Sequence, residues 1–321
     1  MKISRAAEGF LLYMVSNTYS SNTITIYRIH IEQMIQHVGD LELSDLKPEV
    51  VQAFFVWYKT EYRPQRRMAR PGPDHVASGT LYNCWCMLRT FGKWLTENLQ
   101  VPSIDSLIKA PKKTMPPIQP FTEDEIQRLI KVSEKTPVET KDGRKYSVRR
   151  ETYQRDLALI LVLLDTGARI GEVCRLKVGD YNSIAGELSI RPYGTGKKTH
   201  GRVVFLGKKT KQVLWKYLSV REDIRTDEYL FLTNEGKPIS NHMAQNMLSK
   251  LGKRAGIAHC HPHRFRHTAA IQFLRNGGDV FTLQRLLGHR TLEMTRHYVE
   301  LADSDSQAAH ARSSPVDRWH L

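Results

Sequence analysis

This 321-residue chain has no apolar run long enough to cross a bilayer, and its start, MKISRAAEGF, lacks the apolar core of a secretory signal. Both absences speak against a membrane or exported protein, and we expect it in the cytoplasm, on the nucleoid. Cysteine is scarce as well. Four residues, Cys84, Cys86, Cys174 and Cys260, are too few and too scattered for a disulfide framework, so reduced thiols packed as small hydrophobes are expected. GTGKK at 194–198 is no phosphate loop, because no Ser or Thr follows its Gly-Lys and the GxxxxGK spacing is missing. No internal repeat is visible. Acid is the last shortage: 33 Asp and Glu face 48 Lys and Arg, a formal charge of +15. That surplus selects a polyanionic partner, nucleic acid ahead of an anionic membrane.

What the chain does hold is imidazole and guanidinium, concentrated in one place. HPHRFRHTAA, residues 261–270, sets three histidines and two arginines within seven positions. Like charges this close repel, so they need an anion, or a proton to move, set against them. His259, Cys260, His261 and His263 offer metal-ligand atoms. The paired spacings of structural zinc sites are missing, however, and arginines are poor neighbours for a cation; no metal and no cofactor is expected. A solvated basic face is the bland alternative. Geometry favours an anion site. Pro262 suits the first position of a helix, where its missing N–H costs nothing. His263 and Arg266 then lie three apart on one face, close to a helix N-terminus that attracts anions. Phe265, Ala269 and Phe273 mark an opposite, core-facing stripe. The pattern predicts a buried helix that aims His and Arg at a phosphate.

Around this cluster the chain reads as two regions. Residues 1–109 are helical. EGFLLYMVSN is one helix; SNTITIYRIHIEQMIQHVG is a second, from a Ser/Asn cap to Gly39; further helices cover about 48–61 and 76–98. RPQRRMARPGPDH separates the last two with prolines and a cluster of arginines. Residues 110–119 open a proline-rich stretch without periodicity and read as a linker. Thr122 and Glu125 fit a capping box that starts the next helix. Residues 131–150 are polar and basic, an exposed excursion that either touches phosphate or is only mobile. RDLALILVLLDTG is an apolar helix ending at Gly167. GELSIRPYG and GRVVFLG are strand-like and flank the tip TGKKTH, a β-hairpin with lysines at its turn. Helical patterns follow at 208–221, 240–254, 262–275, 279–287 and about 291–297, and periodicity is lost after about 302.

Several local motifs now fall in order. TGARIGEV places Arg169 just past a helix end with Glu172 three residues on. GKKTHGRVVFLG follows, then HPHRFRH, then LLGHRTLEMTRHY with His289 after Gly288 and Tyr298 at its end. Together they resemble the tyrosine recombinase (phage integrase, Xer-like) family, whose pattern is Arg, Lys, His-x-x-Arg, His and Tyr. The resemblance covers about 120–300, and the ending SSPVDRWHL is similar to integrase-like tails. It implies a mainly α fold with a small β-hairpin or sheet: a helical core-binding, SAM-like DNA-binding domain over 1–109 and an α+β catalytic domain over 120–321, closing as a C-shaped clamp on DNA.

The resemblance also implies roles. Tyr298 would be the nucleophile, a phenol with pKa about 10 that must lose its proton to attack. Arg169 and Arg266 would clamp the non-bridging oxygens of the scissile phosphate. His263 would accept the phenol proton and His289 would donate to a phosphoryl oxygen. His267, one turn past His263, is expected to be structural, and His261 reads as a helix-cap residue ahead of a catalytic one. Gapless alignment makes Lys197 the acid for the leaving 5′ oxygen. Lys198 stands where the family has a second glycine, and a one-residue slip would exchange the two.

The implied activity is site-specific recombination of double-stranded DNA carrying an inverted repeat. It runs through a 3′-phosphotyrosyl link, a free 5′-hydroxyl and a Holliday junction, needing neither ATP nor metal. Four protomers on two sites are implied, with the segment from about 300 to 321 docking on a neighbour. An accessory directionality factor is possible, although no arm-binding domain precedes residue 1 and a simple core site is expected. The competing readings are a type IB topoisomerase and a catalytically silent DNA-binding regulator; binding alone would not need Tyr298.

Overall fold

A computed structural model describes residues 1–64, 76–112, 118–139, 142, 145–193, 201–221, 224–302, 310, 314 and 316. The described residues form two compact units, one before residue 113 and one after 117. The first is four helices: α1 (Ile3–Ser16), α2 (Ser21–Val38), α3 (Pro48–Thr60) and α4 (Ser78–Leu99). α1 begins five residues before the stretch EGFLLYMVSN, because Ile3, Ala6 and Ala7 extend the buried stripe of Phe10 and Met14 at helical spacing. The Ser20 hydroxyl caps α2 by accepting from the Thr23 amide at 3.2 Å, and Gly39 ends it at φ +85°. Phe10, Phe54, Tyr58, Met87, Leu88 and Phe91 are fully buried at the centre of this unit. Most of the arginine-rich segment between α3 and α4 lies outside the described residues.

The second unit opens with α5 (Glu123–Glu134), whose Thr122/Glu125 capping box is fully formed, with bonds of 3.0 and 3.2 Å. The polar stretch after it is an antiparallel ribbon of β1 (Lys135–Glu139) and β2 (Lys145–Arg149). Its register pairs Thr136 with Val148 and Val138 with Tyr146, residues that favour strands, a signal that the surrounding charges hide. α6 (Tyr153–Thr166) follows and is buried through Ala158, Leu159, Ile160, Val162 and Leu163. Its one buried carboxylate, Asp156, is paired with Arg150 at 2.9 Å and Arg155 at 2.6 Å, as burial of a charge requires.

A single turn, α7 (Ile170–Val173), leads to the three-stranded antiparallel sheet of β3 (Tyr181–Asn182), β4 (Glu187–Ile190) and β5 (Arg202–Phe205), in that order. Leu188, Ile190 and Val204 point into the core. The tip between β4 and β5, with Lys197 and Lys198, lies outside the described residues. The rest is helical: α8 (Lys208–Ser219), α9 (Asn241–Arg254), α10 (Pro262–Arg275), α11 (Val280–Leu287) and α12 (Glu293–Ala302). Pro262 does stand in the first turn of α10. That helix is buried on more than one side, through Arg264, Phe265, Arg266, Thr268, Ala270 and Ile271, so its basic residues do not share one solvated face. The architecture is mainly α with small sheets. No helix among the described residues is long and apolar enough to cross a membrane.

Candidate active site

The site grows out of two helix ends. α6 stops at Gly167 with φ +61°, where a Cβ would lie 2.8 Å from Leu287 Cδ2 and 3.3 Å from the Ala269 Cβ. Glycine alone fits both the left-handed turn and this close approach. α11 stops at Gly288 in the same left-handed conformation, φ +66°. The carbonyls at such ends have no partner within the helix and carry partial negative charge. Buried Arg266 uses both ends, donating from Nη1 to the Gly167 carbonyl at 2.8 Å and from Nη2 to the Leu287 carbonyl at 2.7 Å. Burial, with the charge of Arg169 nearby, brings Arg266 down to about 10.

Arg169 is held from below. Its backbone N–H and its Nη1 both donate to the Glu172 carboxylate, at 2.8 and 3.2 Å. Glu172 has a side chain only 1% exposed, and it also accepts from Arg202 on β5 at 3.0 and 2.7 Å. Arg202 in turn donates from Nε to the Leu286 carbonyl at 2.6 Å. Burial pushes the Glu172 carboxyl up, but the bonds and charge of Arg202, then of Arg169, outweigh it and hold the group at about 2. The ionised carboxylate thus ties α7, β5 and α11 together behind the Arg169 guanidinium.

His289 follows the Gly288 turn, with Nδ1 2.9 Å from the Thr295 hydroxyl. Burial, then the charges of Arg266, Arg169 and Arg202, lower its imidazole to about 4. Tyr298 comes from α12 and is 5% exposed. Its ring lies parallel to His289, with centroids 6.2 Å apart, and its hydroxyl is 2.9 Å from Nδ1 of His267. Burial raises the phenol pKa, while Arg266, by charge and hydrogen bond, and Arg169 pull it back. His263 is exposed at the start of α10, its ring centroid 6.3 Å from that of His267. Partial desolvation by its neighbours, then the charges of Arg266 and Arg169, shift it below the usual imidazole range.

The structure therefore gathers Arg169, Arg266, His289 and Tyr298, with His263 one turn along the same helix. Four further participants carry little local signal. Glu172 is visible only as the acid three residues past Arg169. Arg202, Thr295 and His267 are fixed by partners 30, 6 and 31 positions away. His261 caps α10 through its backbone carbonyl, which accepts from the Arg264 amide at 3.0 Å, and its side chain makes no capping bond. Among the described residues no group of three His, Cys, Asp or Glu is placed to hold a metal ion.

Residues 119–305, more than half of the chain, match the model of the phage integrase family. The chain belongs to that family. It is a tyrosine-type site-specific recombinase, an enzyme that breaks and rejoins DNA. Over nearly its whole length the recombinase is 26% identical to tyrosine recombinase XerC of Leptospira interrogans, covering 98% of this chain and 95% of that protein. Identity with XerC of Thermodesulfovibrio yellowstonii is 32% over a shorter stretch, 52% of this chain and 57% of that one. The fold is similar to that of the Tn1549 transposon integrase in complex with circular intermediate DNA, with TM-score 0.70, 17% identity and coverage of 98% and 99%. It is also similar to a lambda integrase dimer bound to a COC′ core site, with TM-score 0.69, 16% identity and coverage of 92% and 97%.

In this recombinase two guanidinium groups are fixed beside a buried phenol and the His289 imidazole, which is lowered to about 4. Donors held in place in this way could meet charge that gathers on a phosphate oxygen without reorganising at the moment of reaction.

Proposed function

We propose that Tyr298 attacks the scissile phosphodiester of double-stranded DNA to give a 3′-phosphotyrosyl link and a free 5′-hydroxyl. The observation that carries this reading is the Tyr298 hydroxyl, buried beside an Arg266 whose guanidinium is locked by two helix-end carbonyls. Arg266 and Arg169 neutralise the non-bridging oxygens, and His289, oriented by Thr295, donates to one of them. His263 lies at the rim, exposed at the start of α10 and close to the reacting phosphate. Lys197, or Lys198 in the shifted register, protonates the departing 5′ oxygen. In the second half of the reaction a 5′-hydroxyl from the partner duplex attacks the link, restores the tyrosine and passes the strands through a Holliday junction. The bond energy is conserved in the link.

The substrate is an inverted-repeat core site, read by the helical unit of residues 1–109 together with the unit beyond the 110–119 linker. Lambda integrase as a dimer on a core site supports assembly of protomers on DNA, and we place four on two sites here. A suicide substrate, nicked next to the cleavage point so that the 5′ fragment diffuses away, tests the reading. Wild-type protein should accumulate a covalent DNA adduct, and Tyr298→Phe should bind the site and form none. An adduct with Tyr298→Phe would move the nucleophile elsewhere.

A further inference from the structure

The residue in contact with the attacking oxygen is not the histidine that the family pattern assigns to the proton. Among the described residues no hydrogen bond joins His263 to Tyr298, whereas His267 Nδ1 stands 2.9 Å from the Tyr298 hydroxyl. The two rings are tilted by 49° with centroids 5.6 Å apart, and the hydroxyl lies within hydrogen-bond distance of the ring nitrogen. His263 and His267 both lie on α10, one turn apart, and it is the ring of the second that meets Tyr298 of α12.

We propose that His267 is a catalytic residue of this recombinase, taking the proton of Tyr298 as the phenol attacks and returning it when the link is resolved. The proposal rests on Tyr298 being the nucleophile. In the forward step the O–H bond of Tyr298 breaks, its proton goes to Nδ1 of His267, and the freed electron pair forms the bond to phosphorus. The bond from phosphorus to the 5′ oxygen breaks, and that oxygen takes its proton from the lysine acid. In the reverse step a 5′-hydroxyl gives its proton to the now neutral lysine and bonds to phosphorus, the bond from phosphorus to the Tyr298 oxygen breaks, and the imidazolium returns its proton to the departing phenolate. Charge and protons balance in both directions without a further reactant.

Geometry explains why this position suits the task. The phenol is buried, and burial raises its pKa, so the proton does not leave to bulk water and needs an acceptor already in place. Arg266, one residue before His267, stands beside the same hydroxyl. As the phenolate forms, it is met by a guanidinium on one side and an imidazolium on the other. Among the described residues, the groups facing this hydrogen bond are Arg266 and His263 from α10, Arg169 just before α7 with Glu172 behind it, Arg202 from β5, and His289 before α12.

The test measures first-turnover cleavage of the nicked substrate by His267→Ala, His267→Asn and His263→Ala. Each is prepared with ordinary tyrosine and again with a ring-fluorinated tyrosine at position 298, whose phenol ionises without a base. Asn keeps a polar group near the Nδ1 position but accepts no proton. Both His267 variants should cleave slower by about 10²–10⁴-fold, the usual worth of a general base. Fluorination should restore most of that loss in both, and should restore little of any loss in His263→Ala. Rescue of His263→Ala instead, or wild-type rates in both His267 variants, would overturn the proposal. So would slow His267 variants that fluorination leaves slow, since that outcome makes the contact structural. If His267→Ala fails to bind the site, His267→Asn decides alone. Adduct formation by Tyr298→Phe would refute the nucleophile assignment itself, a failure that these histidine variants cannot mimic.

Discussion

At the residue scale the site is a problem in burying charge. Glu172 carries a full negative charge at almost no exposure, and four donors on two arginines compensate for it. Removing the charge while keeping the shape leaves Arg202 and Arg169 buried or half-buried without their counterion. Breaking a buried pair in this way typically costs about 3–5 kcal/mol. Glu172→Gln should therefore lower the melting temperature and slow cleavage together, because Arg169 loses its anchor. A calorimetric scan beside a single-turnover assay checks both effects. The pH dependence has a fixed sign. Glu172 is held at about 2, below its usual 4.5, so its stabilisation is present above pH 4.5 and is lost as pH falls towards 2. His289 is lowered from 6.5 to about 4, so the unfolded chain binds that proton first, and stability also falls as pH drops from 6.5 to 4. His289→Asn should flatten the upper part of this acid limb. Melting curves of the two proteins between pH 4 and 7 should converge at the acid end, and parallel curves would argue against a buried neutral imidazole.

At the element scale, catalysis depends on where helices stop. α6 and α11 both end in left-handed glycines, and their last carbonyls fix Arg266. Gly167→Ala would force a Cβ to 2.8 Å from Leu287 and impose an unfavourable φ, the latter alone costing about 1–2 kcal/mol. The variant should bind DNA but cleave it slowly, through displacement of Arg266, and an unchanged cleavage rate would show that the arginine tolerates the shift. These stops were legible in the sequence, since glycine after an apolar periodic run marks a helix C-terminus. So were the capping box at Thr122, the proline at the head of α10 and the pairing of β4 with β5. The ribbon β1–β2 was hidden, because four strand-forming residues are scattered among charges and carry no helical or clean alternating pattern. His267 was hidden for a different reason. Its i, i+4 relation to His263 suggests a shared role on one helix face, but its partner lies 31 residues on and is brought near only by the packing of α12 against α10. Arg202 and Glu172 meet across 30 residues in the same way. Local periodicity predicts elements; it says little about which side chains meet when elements pack.

At the scale of the molecule, the hydrophobic clusters within the described residues do not mix the two units. One cluster runs from Ile3 to Ile104 and the others from Phe121 onwards. Each unit has its own buried core, so each should fold alone, and a fragment of residues 118–321 should unfold cooperatively on heating. The charge of +15 then gives the fragment a use. A protein that neutralises Z phosphates releases counterions, and the logarithm of its affinity falls with the logarithm of salt at a slope of about −0.9Z on duplex DNA. If residues 1–109 neutralise some of those phosphates, the fragment should bind its site more weakly and also show a shallower slope, by about one for each phosphate left with its counterions. Weaker binding with an unchanged slope would mean that the helical unit reads shape or base edges and brings no charge to the backbone. Unchanged binding and an unchanged slope would remove it from the DNA interface. The measurement is a titration of full-length protein and fragment on one duplex between 50 and 300 mM salt, and Tyr298→Phe in both keeps cleavage from distorting the equilibrium.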